Sequence, residues 1–494
     1  MLPISPDCKK MYTMSVTVTA SSVFCRSDQA TISNVTLRHN EGLITAVTQG
    51  DAPLGSLRRT LVIPALINAH DHARPTMSSF GAVNMPLETW ILRAAFGTPP
   101  DPYLAAAVSL ARSARAGCAA MMIHYTRPSG TMAIVEEAKA IARAANDVGI
   151  RLALALAVRD KNPIVYDDSA DILESLPNDV RRVVEGTFIR PTTTPREYLD
   201  LIEEIANAVA GPMVDVQLGP AGVQWCSCAL LEAIAEHSAR TGRRIHMHLL
   251  ETVYQRAWAD RSFPDGIVRY LKDIGMLSER LTLAHCIYAT PSELSLIAQS
   301  GAIIVTNFSS NLHLRSGLAP VADAHQRGCC IAVGVDGIAL DEDDDALREM
   351  RLVQMMHGGR GFEPTWSRGD FLSLAVRNGR RAVGAPGKGE LVPGEPADFV
   401  VIDLDALDRD AIMPVDPIEL LFARGNTACI REVVSAGRTI VQDGKPTGVD
   451  LNAMEIELRA LYRKSVPRFA ALERSWQSFA KTLQEWHCAH DGCN

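Results

Sequence analysis

The sequence predicts an α/β chain folded as a (β/α)8 barrel of TIM type, with a small flanking β-sandwich built from both chain ends. Three observations predict it. Eight short apolar runs lie between residues 60 and 337. The segments between them have helical character. Strand-like text stands before residue 60 and returns after about residue 385.

Residues 15–50 (SVTVTASSVFC, NVTLRHNEGLITAV) alternate polar and apolar positions, as half-buried strands do, with turns at Glu41-Gly42 and Gln49-Gly50. The eight runs follow: TLVIPALINAH, CAAMMIHY, RLALALAV, MVDVQLGP, RRIHMHLL, LTLAHC, AIIVTNF and CIAVGVDG. Most are too apolar to alternate, which is the pattern of parallel strands buried on both faces. The intervening stretches 103–117 and 227–241 are rich in Ala, Leu, Glu and Arg, and each ends near a Gly. Eight β-then-α units are the count of a closed barrel. An open doubly wound sheet is the alternative, but its first turn would carry GxGxxG, which the chain lacks. GELVPGEPADFVVIDL and REVVSAGRTIVQDGK then supply the C-terminal strands of the sandwich. Residues 451–486 read as helix interrupted at Pro467, with Trp476, Phe479 and Trp486 set to pack on the barrel or on a second subunit. The expected domains are residues 1–59 and 386–447 for the sandwich, 60–385 for the barrel and 448–494 for a helical extension.

The composition narrows the functional classes. Of 494 residues, 47% are hydrophobic and 21% charged, which is ordinary for a globular chain. The 49 Lys+Arg against 57 Asp+Glu leave a net charge of −8, which argues against a nucleic-acid partner. No apolar run approaches the roughly 20 residues needed to span a bilayer. The N-terminal text does not read as a signal peptide. The 11 cysteines are scattered, and Cys226/Cys228 and Cys329/Cys330 have no zinc-knuckle spacing. A cytoplasmic setting with free thiols is expected. The acidic run Asp341–Asp345 reads as a solvated loop.

Four features end apolar runs with groups that carry chemistry. His70-Asp71-His72 ends the first run. Alternation along a strand points His70 and His72 to one side, and at the C-terminal end of a barrel strand that side faces the mouth. Two imidazoles at this spacing suit Zn²⁺, although HxH alone is a weak signal. His248 ends the fifth run, with Glu251 three residues on. His246 shares its face but lies deeper, where a hydrogen-bonded core histidine is expected. His285 ends the sixth run and Asp336 the eighth. All these positions converge on one mouth in a barrel.

With these residues in place, the chain resembles the amidohydrolase superfamily, in its cytosine deaminase and chlorohydrolase-like branch acting on amino-substituted N-heterocycles. The matching text runs in family order over roughly residues 15–445. It comprises PALINAHDH, PLETW, the GP-x5-CS stretch from Gly219 to Ser227, HLLET, LAHC, SSNLHLRSGLAP, GVDG, GKGELVPGEPADFVVID and GRTIVQDG. The resemblance implies that His70, His72, His248 and Asp336 hold a divalent metal. It implies that His285 orients the attacking water, that Asp336 accepts its proton, and that Glu251 passes a proton to the ring nitrogen as ammonia leaves. Binuclear relatives carry a carboxylated Lys or a Glu at the end of strand four. Here that run contains only Asp215 as an acid, so one metal per chain is expected, zinc rather than iron. A homodimer or larger homo-oligomer is implied by the resemblance alone.

Two stretches depart from the family pattern. Gly219-Pro220-Ala221-Gly222 replaces GPHS, and Thr306 to Asn311 (TNFSSN) replaces HNPxSN. The changes fall where a substrate ring would sit, and they point away from an ordinary adenosine-type substrate. Arg74, His124, Arg127 and Asn311 are the candidate substrate contacts, an Arg pairing with a keto oxygen or a carboxylate. The expected substrate is a small heterocycle of purine, pyrimidine or triazine type. Displacement of chloride or alkylamine from a triazine-like ring is the alternative reaction, and a catalytically inactive barrel scaffold the alternative class.

Overall fold

Two sheets divide the apolar run 60–70 between them. The computed structural model describes residues 15–50, 58–74, 84–337, 343–410 and 412–492. Strands β1 (Val16–Val23), β2 (Ile32–Asn40) and β3 (Leu43–Gln49) form an antiparallel meander, turned at Glu41-Gly42 as expected. β4 (Thr60–Pro64) lies parallel to β1. Pro64 has no N–H to continue that ladder. The change of sheet falls between the next two amides: Ala65 N–H still donates to Asp398 O on the flanking-sheet side, and Leu66 N–H donates to Gly117 O in the barrel. β5 (Leu66–Asn68) is therefore the first barrel strand, and Thr60–Pro64 belongs to the flanking sheet. A continuous apolar run conceals this break, because both halves are buried.

The barrel continues with β6 (Cys118–Tyr125), β7 (Arg151–Val158), β8 (Val214–Pro220), β9 (Ile245–Leu249), β10 (Leu281–His285), β11 (Ile303–Thr306) and β12 (Cys330–Val333), each parallel to its sequence neighbour. β6 is buried at every position, as its unbroken apolar text predicts. Ala69 N–H donating to Val333 O, and Asp336 N–H to His70 O, tie the first strand to the last. The close approach at this seam requires Gly334, where a Cβ would come within 2.4 Å of Asn307 Oδ1 and 2.8 Å of His70 Cβ.

A two-strand ribbon, β13 (Gly359–Arg360) and β14 (Glu363–Pro364), precedes the C-terminal strands β15 (Phe399–Asp403), β16 (Ile430–Ser435), β17 (Arg438–Gln442) and β18 (Lys445–Pro446). β15 pairs antiparallel with β4, so the two chain ends meet in one mixed run of eight strands, as expected. Its core includes Val23, Val35, Leu37, Val62, Phe399 and Val434.

The helices expected at 103–117 and 227–241 span Pro102–Arg115 and Cys228–Thr241. The C-terminal stretch forms helices Leu451–Ser465 and Ala470–His487, separated at Pro467 by a 3-10 turn. Trp476, Phe479 and Trp486 are buried within this chain against Phe96, Ile172 and Val184. Among the described residues no helix is long and apolar enough to cross a membrane. Cys25, Cys118, Cys226, Cys286, Cys329 and Cys429 are buried free thiols.

The acidic run is only in part a solvated loop where it can be followed: Asp343 is exposed. Asp344 and Asp345 are buried. Asp345 caps the helix Ala346–His357 by accepting from the Leu347 and Arg348 amides, and it also accepts from Thr427 N–H. A helix start offers unsatisfied donors that a carboxylate fills, which charge counting alone overlooks. Asp341 and the N-terminal text read for a signal peptide lie outside the described residues.

Candidate active site

The barrel mouth brings together side chains from the ends of β5, β9, β10 and β12. His70 and His72 follow β5, His248 sits in β9, His285 ends β10 and Asp336 follows β12. All five are buried. His285 and Asp336 adopt φ of 74° and 59°, left-handed values that side chains other than glycine seldom take. Strain of this kind concentrates where a strand must end abruptly and deliver a functional group. The donor atoms of His70, His72 and His248 lie within 4.8 Å of one another, and so do those of His70, His285 and Asp336.

Hydrogen bonding fixes the tautomers. His72 Nδ1 faces His124 O at 2.7 Å and His248 Nδ1 faces Ala221 O at 2.8 Å. A carbonyl only accepts, so both Nδ1 atoms carry the proton and both Nε2 atoms present lone pairs. These two Nε2 atoms stand 3.3 Å apart. Asp336 Oδ1 lies 3.2 Å from His72 Nε2 and 3.4 Å from His70 Nε2. Both His70 Nε2 and Asp336 Oδ1 are buried without a hydrogen-bond partner. Protonating a ring would relieve the lone-pair repulsion, but burial opposes it. Burial pushes the His72 imidazole down to about 3 and that of His248 well below the usual histidine range. Burial alone would raise Asp336, but the adjacent His70 and His72 hold it well below the usual carboxylate range. A bare set of nitrogen lone pairs beside an ionised carboxylate is the environment of a divalent cation. These five residues form a metal site.

Glu251 and His285 complete the floor. His285 Nε2 is 3.6 Å from Glu251 Oε2 and 3.9 Å from Asp336 Oδ2. Burial, aided by the charges of Asp336 and Glu88, raises Glu251 well above the usual carboxyl range. A cavity of about 400 Å³ opens above this floor, with Trp90, Trp225, Arg74, Arg127 and Arg159 in its walls. Arg74 donates to Thr126 Oγ1 and stacks over Trp90; burial lowers it to about 10, so it stays charged. Arg127 donates to Ile91 O.

Two of the candidate substrate contacts lie elsewhere. His124 is fully buried, does not line the cavity, and meets the site through its carbonyl on His72. Asn311 Oδ1 accepts from His285 Nδ1 at 2.9 Å, beneath the cavity floor. Asp215, the only acid of the β8 run, sits at the opposite end of its strand beside Gln217 and Arg244.

Two residues gain a part that no motif signalled. His246 is the buried, hydrogen-bonded histidine expected, but its partner is His70, with Nε2 2.7 Å from His70 Nδ1. Ser310 Oγ donates to Asp336 Oδ2 at 2.6 Å. The i, i+2 spacing of His246 and His248 was the available signal for the first. Because a partner on the far ring nitrogen orients a metal-ligating histidine, His246→Ala is expected to weaken metal affinity by about 10–100-fold. Competition with a chromogenic chelator measures this.

Residues 61–440 match the model of the amidohydrolase family. The chain is 30% identical over 425 residues to a 5-methylthioadenosine/S-adenosylhomocysteine deaminase of Nitratidesulfovibrio vulgaris, covering 85% of this chain and 88% of the relative. It is 28% identical to an 8-oxoguanine deaminase of Pseudomonas aeruginosa, covering 81% and 87%. Its fold is that of an atrazine chlorohydrolase from Arthrobacter aurescens solved with zinc, with a TM-score of 0.71 at 22% identity over 90% of this chain and 98% of that one. The chain thus belongs to the amidohydrolase family and is a hydrolase acting on carbon–nitrogen bonds other than peptide bonds.

Proposed function

We propose that this hydrolase is a metal-dependent deaminase that removes an exocyclic amino group from an N-heteroaromatic ring of purine, pyrimidine or triazine type. The observation that carries the reading is the placing of two carboxyl groups, Glu251 and Asp336, around His285 on one cavity floor, with burial raising the pKa of the first and the adjacent imidazoles lowering that of the second. Two carboxyl groups whose surroundings push their acidities in opposite directions are what a reaction needs when one proton must be taken up and another delivered.

His70, His72, His248 and Asp336 would hold one divalent ion, with zinc favoured by the nitrogen-rich donor set. When bound, the ion supplies acidification of water near neutral pH. Asp336 accepts the proton of the attacking water, with Ser310 holding its second oxygen. His285, kept in one tautomer by Asn311, orients that water. The amino-bearing carbon becomes tetrahedral as the adjacent ring nitrogen takes the Glu251 proton; the amino group then takes the proton held on Asp336 and leaves as ammonia, and the remaining hydroxyl proton returns to Glu251 as the carbonyl forms. Arg74 and Arg127 meet the electron-rich edge of the ring. His124 acts as a positioning residue for His72. The residue ranges given above remain the proposed domains, save that the break at Pro64 moves the barrel's start to Leu66.

The curated relatives named above are deaminases, which supports loss of ammonia over loss of chloride. The test is ammonia release from a panel of adenine nucleosides, oxopurines, aminopyrimidines and aminotriazines. Turnover of at least one substrate is expected, abolished by chelation and restored by Zn²⁺. Elemental analysis is expected to find one metal per chain, and two equivalents would refute that count. Chloride release without ammonia would replace the reading with the triazine hydrolase alternative. No turnover and no bound metal would leave a scaffold.

A further inference from the structure

We infer that the C-terminal segment is a positioning element of the active site. The buried His487–Asp491 pair holds Tyr166, and Tyr166, through Glu88 and Gln255, holds the strand end that carries Glu251. This inference rests on the catalytic part proposed for Glu251.

The connection is continuous. Asp491 Oδ2 accepts from His487 Nδ1 at 2.8 Å, and Asp491 Oδ1 accepts from Arg261 Nη2 at 2.7 Å. Arg261 Nη1 also donates to His490 O, so the last helical turn is clamped to the helix Val253–Ser262. The His487 ring lies 5.5 Å from the Tyr166 ring, edge on, and 5.4 Å from that of Tyr254. Tyr166 donates its hydroxyl to Glu88 Oε1 at 2.7 Å. Thr252 Oγ1 donates to the same oxygen at 2.5 Å. Gln255 Nε2 reaches the Tyr166 hydroxyl at 3.4 Å, while Gln255 Oε1 accepts from the Glu251 amide at 2.8 Å.

Every member is buried: Tyr166, Glu88, Thr252, Gln255, His487 and Asp491. Filling this space with aliphatic side chains would avoid the cost of desolvating two carboxylates, a phenol and an imidazole. A hydrogen-bonded network instead fixes one geometry, because each member admits few alternative partners, and it does so here although Glu88 Oε2 and His487 Nε2 are buried without a partner. Here that geometry includes the Glu251 backbone on one side and, through the 5.9 Å contact of Tyr166 with Trp225, a cavity wall on the other. The extension thereby reaches the floor residue it never touches.

The test uses the full chain with metal bound, in variants Asp491→Ala, Asp491→Asn and Tyr166→Phe. In Asp491→Ala and Tyr166→Phe, kcat is expected to fall about tenfold with KM within about twofold and metal content unchanged. Asp491→Asn keeps an acceptor for His487 and is expected to retain most activity. Hydrogen exchange, measured without substrate, is expected to quicken at residues 250–256 and to stay unchanged across residues 66–72 in both impaired variants. Unchanged exchange at 250–256, or a rise in KM with kcat intact, would overturn the inference. Tyr166→Phe keeps the ring packed, so it serves where Asp491→Ala fails to fold. A wild type that releases no ammonia from any ring would overturn the deaminase reading instead, and the exchange experiment would still decide the part played by the tail.

Discussion

Asp336→Asn is expected to lower kcat by about three to four orders of magnitude while the chain folds and melts as the wild type does. The substitution preserves shape. An amide oxygen placed where Oδ1 lies would still face His70 and His72, and the amide nitrogen would face Ser310, whose hydroxyl turns to accept. The Asp336 backbone, at φ 59°, is a conformation that Asn tolerates as well as Asp does. What disappears is the negative charge that balances a cation and the site that takes a proton from water. Steady-state kinetics, thermal unfolding and metal analysis on one preparation separate these effects. Near-normal turnover in the variant would remove Asp336 from the chemistry.

The contrast between Asp336 and its neighbours shows what the sequence makes legible. Each metal-site residue stands where an apolar run stops, and a barrel sends all such ends to one mouth. His70, His72, His248, His285 and Asp336 could therefore be named together before their distances were known. Depth along a strand is harder to read. His246 carries the same residue type on the same face as His248, and only the 2.7 Å approach to His70 shows that it supports the site instead of sitting idle in the core. Contacts made late in the chain are harder still. Glu88, Tyr166 and Thr252 share one carboxylate oxygen across sequence separations of 78 and 164 residues, and no periodicity encodes that. His124 and Asn311 fall between these cases. Their position beside the mouth was legible, but the direction of their polar atoms depended on which carbonyl or ring nitrogen lay nearest. The break at Pro64 was written in the sequence as a missing donor, yet the apolar text on both sides masked it.

Glu251→Gln is expected to lower kcat by about two to four orders of magnitude with KM nearly unchanged, because the loss falls on a proton that moves only in the transition state. Glu251 is 2% exposed, so its acidity is set by the protein and not by solvent. Burial acts first, and the charges of Asp336 and Glu88 act in the same direction, favouring the neutral carboxyl. A neutral carboxyl and an amide are close in size and polarity, so the ground state is little disturbed. The amide cannot surrender its proton to a ring nitrogen, nor take one from water to reset the cycle. The Glu251 backbone N–H would still donate to Gln255, leaving the strand end in place. A matched loss of affinity for a non-hydrolysable ring analogue would instead mean that Glu251 binds substrate and moves no proton. Retained binding with lost turnover is the outcome that assigns it the acid's part.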